Sequence, residues 1–196
     1  LGDVYKRQIM TAVTGFPFAD VPTNAWYFGD AYYAYNNALF AGTGANTFSP
    51  NVTMTRGMLV TVLWRMEGSP KAAAPTFSDT RGIWCSEAVG WAAANGIVNG
   101  FDNNTFSPNG TVTREQMAAI LYRYAAFKGI DVSAAADLGS FADFESVSAY
   151  ARTAIAWASA EGIINGSADG RLMPKAGATR AQVAAILHRY IENCIF

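Results

Sequence analysis

Three arginines recur directly behind three threonines, as Thr55-Arg56, Thr113-Arg114 and Thr179-Arg180. An arginine presents a planar fork of donors matched to carboxylates and phosphates. In the central copy Thr113 reads as a helix N-cap, and Gln116 three residues on completes a capping box. Met117, Ile120, Leu121 and Tyr124 then fall at i, i+3, i+4 and i+7, one apolar stripe facing a core. Arg114 is thereby the first helical residue, off that stripe and beside backbone N–H groups that lack intrahelical partners. A cation there costs the helix a few tenths of a kcal/mol. The same arrangement predicts a receptor for an anion, because amide donors and a guanidinium converge on one spot.

The elements around these pairs repeat as well. Phe18-Ala19-Asp20, Trp26, Leu39-Phe40-Ala41-Gly42, Phe48-Ser49-Pro50 and Thr55-Arg56 form the first series. Phe77-Ser78-Asp79, Trp84, Trp91-Ala92, Gly96-Ile97-Val98-Asn99-Gly100, Phe106-Ser107-Pro108 and Thr113-Arg114 form the second. Phe141-Ala142-Asp143, Tyr150, Trp157-Ala158, Gly162-Ile163-Ile164-Asn165-Gly166, Leu172-Met173-Pro174 and Thr179-Arg180 form the third. From Trp26, Trp84 or Tyr150 to the threonine is 29 residues each time, a fixed spacing that excludes chance agreement.

Each series reads as helix, loop, helix. Ala88, Trp91 and Ala92, and Ala154, Ile155 and Ala158, carry the helical period, with Trp91 and Trp157 as large buried groups. Gly96 and Gly162 stand where a left-handed residue ends a helix, whereas Ala38 in that place predicts a less clean end. The Asp/Asn-rich loops after Gly100 and Gly166 are turn chemistry and lack the alternating ligands of an EF-hand. A two-helix unit this short cannot bury both faces alone, so three units must pack together. The expectation is an all-α fold: six helices in three helix–loop–helix repeats, over 16–68, 75–127 and 139–192, arranged about a pseudo-threefold axis with grooves between neighbours.

Composition narrows the function. With 14 basic and 15 acidic residues in 196, the net charge of −1 argues against an electrostatic nucleic-acid binder, which needs a basic face. No apolar run approaches the ~20 residues of a membrane span. Cys85 and Cys194 form no C-x-x-C pair and have no neighbouring histidine, so neither a metal site nor a cofactor is expected; they read as separate thiols or as one disulfide. His188 is the sole histidine, in the place of Trp64 and Tyr122, and no Ser or Cys nucleophile has a partner arrangement. The chain does not read as an enzyme. Residues 1–8, containing Asp3-Val4-Tyr5-Lys6-Arg7-Gln8, resemble a translated library adaptor, and the remainder reads as the tail of a longer protein.

The order Phe-x-Asp, Trp, Gly-Ile-Val-x-Gly, Phe-x-Pro, Thr-Arg resembles the S-layer homology (SLH) domain, over roughly residues 16–192. That resemblance implies a triplet forming a three-pronged helical spindle. It further implies a secreted, cell-surface location and non-covalent tethering to the peptidoglycan-linked secondary cell-wall polysaccharide. The ligand it implies is an acidic sugar with a ketal-linked pyruvate, held in grooves between motifs by the arginines of the Thr-Arg pairs, here Arg56, Arg114 and Arg180. The residues' own chemistry agrees, since a pyruvyl ketal presents a carboxylate.

Two roles stay open for each candidate. The arginines bind the ligand, or they ion-pair with Asp20, Asp79 or Asp143; the aspartates contact ligand or cap helices. Trp26 and Trp84 stack on a sugar or lie in the core; Gly42, Gly100 and Gly166 admit the glycan or serve a turn. Repeat one continues Gly57-Met58 after its Thr-Arg pair, which loses the capping box and costs about 1 kcal/mol of local helix stability. Repeat three has Tyr150 for Trp, and Leu172-Met173 for Phe-Ser. Ligand contact is therefore expected at Arg114 and Arg180 and more weakly at Arg56, with weaker grooves at repeats one and three. A lattice module that self-associates laterally, or an anchor on an upstream wall hydrolase, are the alternative functions.

Overall fold

The computed structural model describes residues 15–73 and 77–195; the adaptor-like segment at 1–8 lies outside them. Among the described residues there are six α-helices and no strand: α1 (Phe28–Asn36), α2 (Arg56–Met66), α3 (Ser86–Ala94), α4 (Arg114–Phe127), α5 (Arg152–Ala160) and α6 (Arg180–Cys194). Short 3-10 turns at Leu138–Ser140, Phe144–Ser146 and Ala149–Ala151 lead into α5. The all-α repeat architecture is as expected, and α2, α4 and α6 begin at the three arginines.

The caps account for these starts. Thr55, Thr113 and Thr179 each accept from the N3 amide, and the last two have full capping boxes through Gln116 and Gln182. The first helices of the repeats share one ending. In each, two successive amides fold back onto one carbonyl: Leu39 and Phe40 onto Ala34, Ile97 and Val98 onto Ala92, Ile163 and Ile164 onto Ala158. The reversal needs a left-handed residue, supplied by Ala38 (φ 55°), Gly96 (69°) and Gly162 (65°). The looser end expected at Ala38 is thus corrected. Alanine adopts the same geometry, at a cost of about 1 kcal/mol, because the same two hydrogen bonds hold it there.

The helices pair across repeats rather than within them. α3 packs on α2, α5 on α4, and α1 on α6, so the last helix of the chain closes onto the first. Small residues at the contacts (Ala31, Ala34, Ala88, Ala92, Ala154 and Ala158, all buried) permit the close approach. The aromatic bulk of Trp157, Tyr124 and Tyr190 fills the centre.

Three extended corners meet where the pairs converge. Met54 N–H donates to Ala178 O (2.9 Å), Ala178 N–H to Val112 O (3.1 Å), and Val112 N–H to Met54 O (3.0 Å), a closed triangle. All three residues are buried. The pseudo-threefold relation is therefore made by backbone hydrogen bonds as well as by packing.

A ring of this kind has no dispensable third. α6 buries Val183, Ala184, Leu187, Tyr190 and Ile191, and at about 1.5–3 kcal/mol per large apolar side chain that is roughly 10 kcal/mol, comparable to the whole stability of a domain. Truncation after Ala178 is expected to abolish the cooperative thermal transition followed by circular dichroism. A truncated chain that kept a sharp transition and about two thirds of the helical signal would show the repeats to be independent.

Candidate functional site

The donors at the helix starts are already engaged. Arg56 N–H donates to Gly110 O (2.9 Å), Arg114 N–H to Ala176 O (3.0 Å) and Arg180 N–H to Val52 O (2.8 Å). The next amides, of Gly57, Glu115 and Ala181, donate to Pro108, Pro174 and Pro50 carbonyls of the neighbouring repeat. The third in each helix is taken by its threonine. The expectation of unsatisfied N–H groups waiting for an anion is corrected: the following repeat in the ring supplies their acceptors.

The arginine side chains follow the same direction. Arg56 Nε donates to Phe106 O (2.8 Å) and Nη2 to Asn99 O (3.3 Å). Arg114 reaches Leu172 O (2.7 Å) and Asn165 O (3.0 Å), and Arg180 reaches Phe48 O (2.7 Å) and Ala41 O (2.8 Å). Each of these arginines is buried as a residue, at 7, 8 and 6% exposure. Arg56 lies on the rings of Phe101 and Phe106, and Arg180 on Phe40 and Phe48. Burial lowers all three pKa values, opposed by the aspartate of the next repeat.

Those aspartates form no direct ion pair with the arginines. Asp20 accepts from Phe48 and Ser49 N–H, Asp79 from Phe106 and Ser107 N–H, and Asp143 from Leu172 and Met173 N–H, all at 2.7–2.8 Å. The peptide group joining Phe106 to Ser107 therefore accepts a hydrogen bond from Arg56 at its carbonyl and donates one to Asp79 from its amide. The other two repeats reproduce this. The clamped residue is left-handed each time without being glycine: Ser49 (φ 58°), Ser107 (57°) and Met173 (50°). Charge-assisted hydrogen bonds on both sides hold a backbone conformation that is unfavourable by about 1–2 kcal/mol alone. Below it sits the repeat's phenylalanine, and a Cβ at Gly42 or Gly166 would lie 2.5 or 2.6 Å from the ring of Phe18 or Phe141. Gly100 meets Phe77 in the same way, so these glycines allow close ring-on-backbone packing.

The remaining candidates are exposed. Trp26 is 65% and Trp84 59% accessible, as is Tyr150 at 54%, so the core alternative for the two tryptophans does not hold. Tyr150 and Trp26 each line a groove made by all three repeats rather than by two neighbours. One groove, of about 540 Å³, joins Arg56 of repeat one, Asn99, Gln116 and Arg123 of repeat two, and Tyr150 of repeat three. Another, of about 190 Å³, joins Arg114 of repeat two, Asn165, Gln182 and Arg189 of repeat three, and Trp26 of repeat one. By register the third set is Arg180, Arg65 and Trp84, with Met58 in place of the glutamine; Trp84 packs over Gly57, where a Cβ would lie 3.2 Å from its ring.

The second arginine of each set was not singled out from the sequence. Its signal is the recurrence of Leu63-Trp64-Arg65, Leu121-Tyr122-Arg123 and Leu187-His188-Arg189, nine residues after each first arginine. Tyr150 was noted only as a departure. Its hydroxyl lies 3.2 Å from Glu115, and burial together with that carboxylate pushes the phenol up to about 12. Burial works to raise the Glu115 pKa, but hydrogen bonds from Lys175 and from the Ser148 amide and hydroxyl outweigh it, leaving the carboxyl below its usual range.

Other reactive groups stand apart from the grooves or serve packing. Cys85 is buried and Cys194 half-buried, both as free thiols. His188 is buried, with Nδ1 2.8 Å from Asp30 and its ring stacked on Tyr33. It ties α6 to α1.

Comparison with known proteins agrees with this geometry. The S-layer homology domain matches residues 17–57, 76–118 and 140–184. An endoglucanase of Bacillus sp. (strain KSM-635) is 32% identical over 172 residues, covering 88% of this chain and 18% of that protein. An amylopullulanase of Thermoanaerobacterium thermosulfurigenes is 34% identical, covering 74% and 8% respectively. The surface-layer 125 kDa protein of Lysinibacillus sphaericus is 30% identical, covering 78% and 13%. The chain spans less than a fifth of each of these relatives.

The geometry assigns the buried arginines a large share of stability. Arg114→Ala removes two charge-assisted hydrogen bonds and strands two carbonyls, so it is expected to lower unfolding free energy by about 3 kcal/mol, read from urea denaturation. Lysine should recover only part, since one ammonium cannot span both acceptors as a fork. A loss under about 0.5 kcal/mol would contradict the assignment.

Proposed function

The chain belongs to the S-layer homology domain family, and from that premise we propose that its grooves bind an acidic, pyruvylated sugar of the secondary cell-wall polysaccharide. S-layer homology domains bind cell-wall polysaccharide and hold surface proteins at the cell wall, a non-catalytic task performed at the cell surface. The finer reading concerns the ligand and the residues that meet it.

One observation carries it: two arginines, a side-chain amide and an exposed aromatic converge on a single concavity, and do so twice. Arg56, Arg123, Gln116 and Tyr150 line one groove, and Arg114, Arg189, Gln182 and Trp26 the other. A carboxylate matches the arginine pair, an N-acetyl or hydroxyl group the amide, and the apolar face of a pyranose the aromatic ring. In this reading the guanidinium edges not engaged by carbonyls at Arg56, Arg114 and Arg180 meet the carboxylate, and Trp26 and Trp84 stack. Asp20, Asp79, Asp143, Gly42, Gly100 and Gly166 act by shaping the loop that forms one wall. We assign the protein's cargo to a region beyond this chain, of the kind carried by the endoglucanase and surface-layer relatives.

Because the first arginines also hold the fold, the test belongs on the second. Isothermal titration with a pyruvylated wall oligosaccharide should give binding that falls about tenfold or more on removal of the pyruvyl group. Arg123→Ala should weaken it similarly with little change in melting temperature, whereas Arg189→Ala also loses a 3.3 Å hydrogen bond to Ile163 O and is read together with its melting temperature. Equal affinity for the depyruvylated sugar would overturn the acidic-ligand reading. Wall-independent assembly with no oligosaccharide binding would favour a lattice module instead.

A further inference from the structure

The Arg56 groove differs from its counterparts in the residue that follows the loop glycine. Repeats one and three carry Thr43 and Ser167, whose hydroxyls are tied into their own loops: Thr43 Oγ1 lies 2.6 Å from Ser49 Oγ, and Ser167 Oγ 2.5 Å from Asp169. Repeat two carries Phe101 in that place. Phe101 is 46% exposed, and the Arg56 guanidinium lies 4.9 Å from the centroid of its ring. The turn beneath it is well held, with Phe101 N–H on Thr105 O (2.7 Å) and Asn104 N–H on Phe101 O (2.9 Å).

Phe101 is also a ridge between two concavities. On one side is the groove of about 540 Å³ holding Arg56, Arg123 and Tyr150. On the other is a shallower depression of about 570 Å³ lined by Asn103, Thr105 and Ser107, and both share Gly100, Phe101 and Asp102. The first is cationic and aromatic. The second holds a carboxylate, an amide and hydroxyls around one apolar ring, which is the chemistry of a neutral sugar rather than of an anion.

Resting on the acidic-sugar reading above, we propose that the Arg56 groove is the first half of a two-part site. The acidic sugar occupies the groove, and the next sugar of the same polysaccharide chain crosses Phe101. That second residue lays an apolar face on the ring and directs hydroxyls to Asp102, Asn103 and Ser107. Length-dependent recognition is then a property of this groove alone. The grooves of Arg114 and Arg180 have Ser167 and Thr43 where the platform would be, and read a single residue.

The test compares two probes by calorimetry: a pyruvylated sugar as its methyl glycoside, and a wall fragment of two to four residues ending in that same sugar. Wild type should prefer the fragment about tenfold at one site per chain. Phe101→Ala also uncovers Arg56, so the readout is the ratio of the two affinities, which should fall to about one. Phe101→Tyr should keep the preference. A wild-type ratio near one, or a preference that survives in Phe101→Ala, overturns the two-part site and leaves the acidic-sugar reading standing. Binding of neither probe by wild type overturns both.

Discussion

An α-helix begins with amides that it cannot satisfy itself, and in this protein the partners come from another repeat. The first two free amides of α2, α4 and α6 donate to the loop preceding the next of these helices, and the arginine side chain beside them does the same. Each repeat therefore depends on its successor, and the third depends on the first. Because the direction is the same at all three junctions, the arrangement closes. The backbone triangle of Met54, Val112 and Ala178 lies where the three dependencies meet.

That constraint explains why the grooves are composite. Helices paired across repeats place the overhanging aromatic of one repeat above the helix start of the previous one. The loop facing both is held by an arginine on its carbonyl and an aspartate on its amides. A buried cation without a direct counter-ion would be costly. Here the charge is distributed over carbonyls, ring faces and, through one peptide group, an aspartate. The same arginine thus stabilises the loop and leaves its outer edge on the groove.

Much of this was legible in the sequence because it is local. Capping boxes, glycines at helix ends and apolar periodicity set the helix starts at Thr55, Thr113 and Thr179, and the left-handed φ of Gly96 and Gly162. What escaped was non-local. The partners of Asp20, Asp79 and Asp143 are amides 27–30 residues away, which no pattern of side-chain types announces. Cross-repeat pairing was invisible for the same reason, and with it the engaged state of the helix-start amides. Ala38 escaped because backbone hydrogen bonds on both sides overrode its intrinsic preference. The second arginines did have a signal, a Leu-x-Arg recurrence in the last two turns, hidden among residues that read as ordinary helix surface.

The most direct test of the closed ring is native-state hydrogen exchange at the amides of Met54, Val112 and Ala178. If the ring is one cooperative unit, all three should exchange only through global unfolding, with equal free energies matching that from denaturant titration. Destabilising one junction should then lower all three together. Protection that differs among them by more than about 1 kcal/mol, or that falls at one junction alone, would mean that the repeats open separately and would contradict the account.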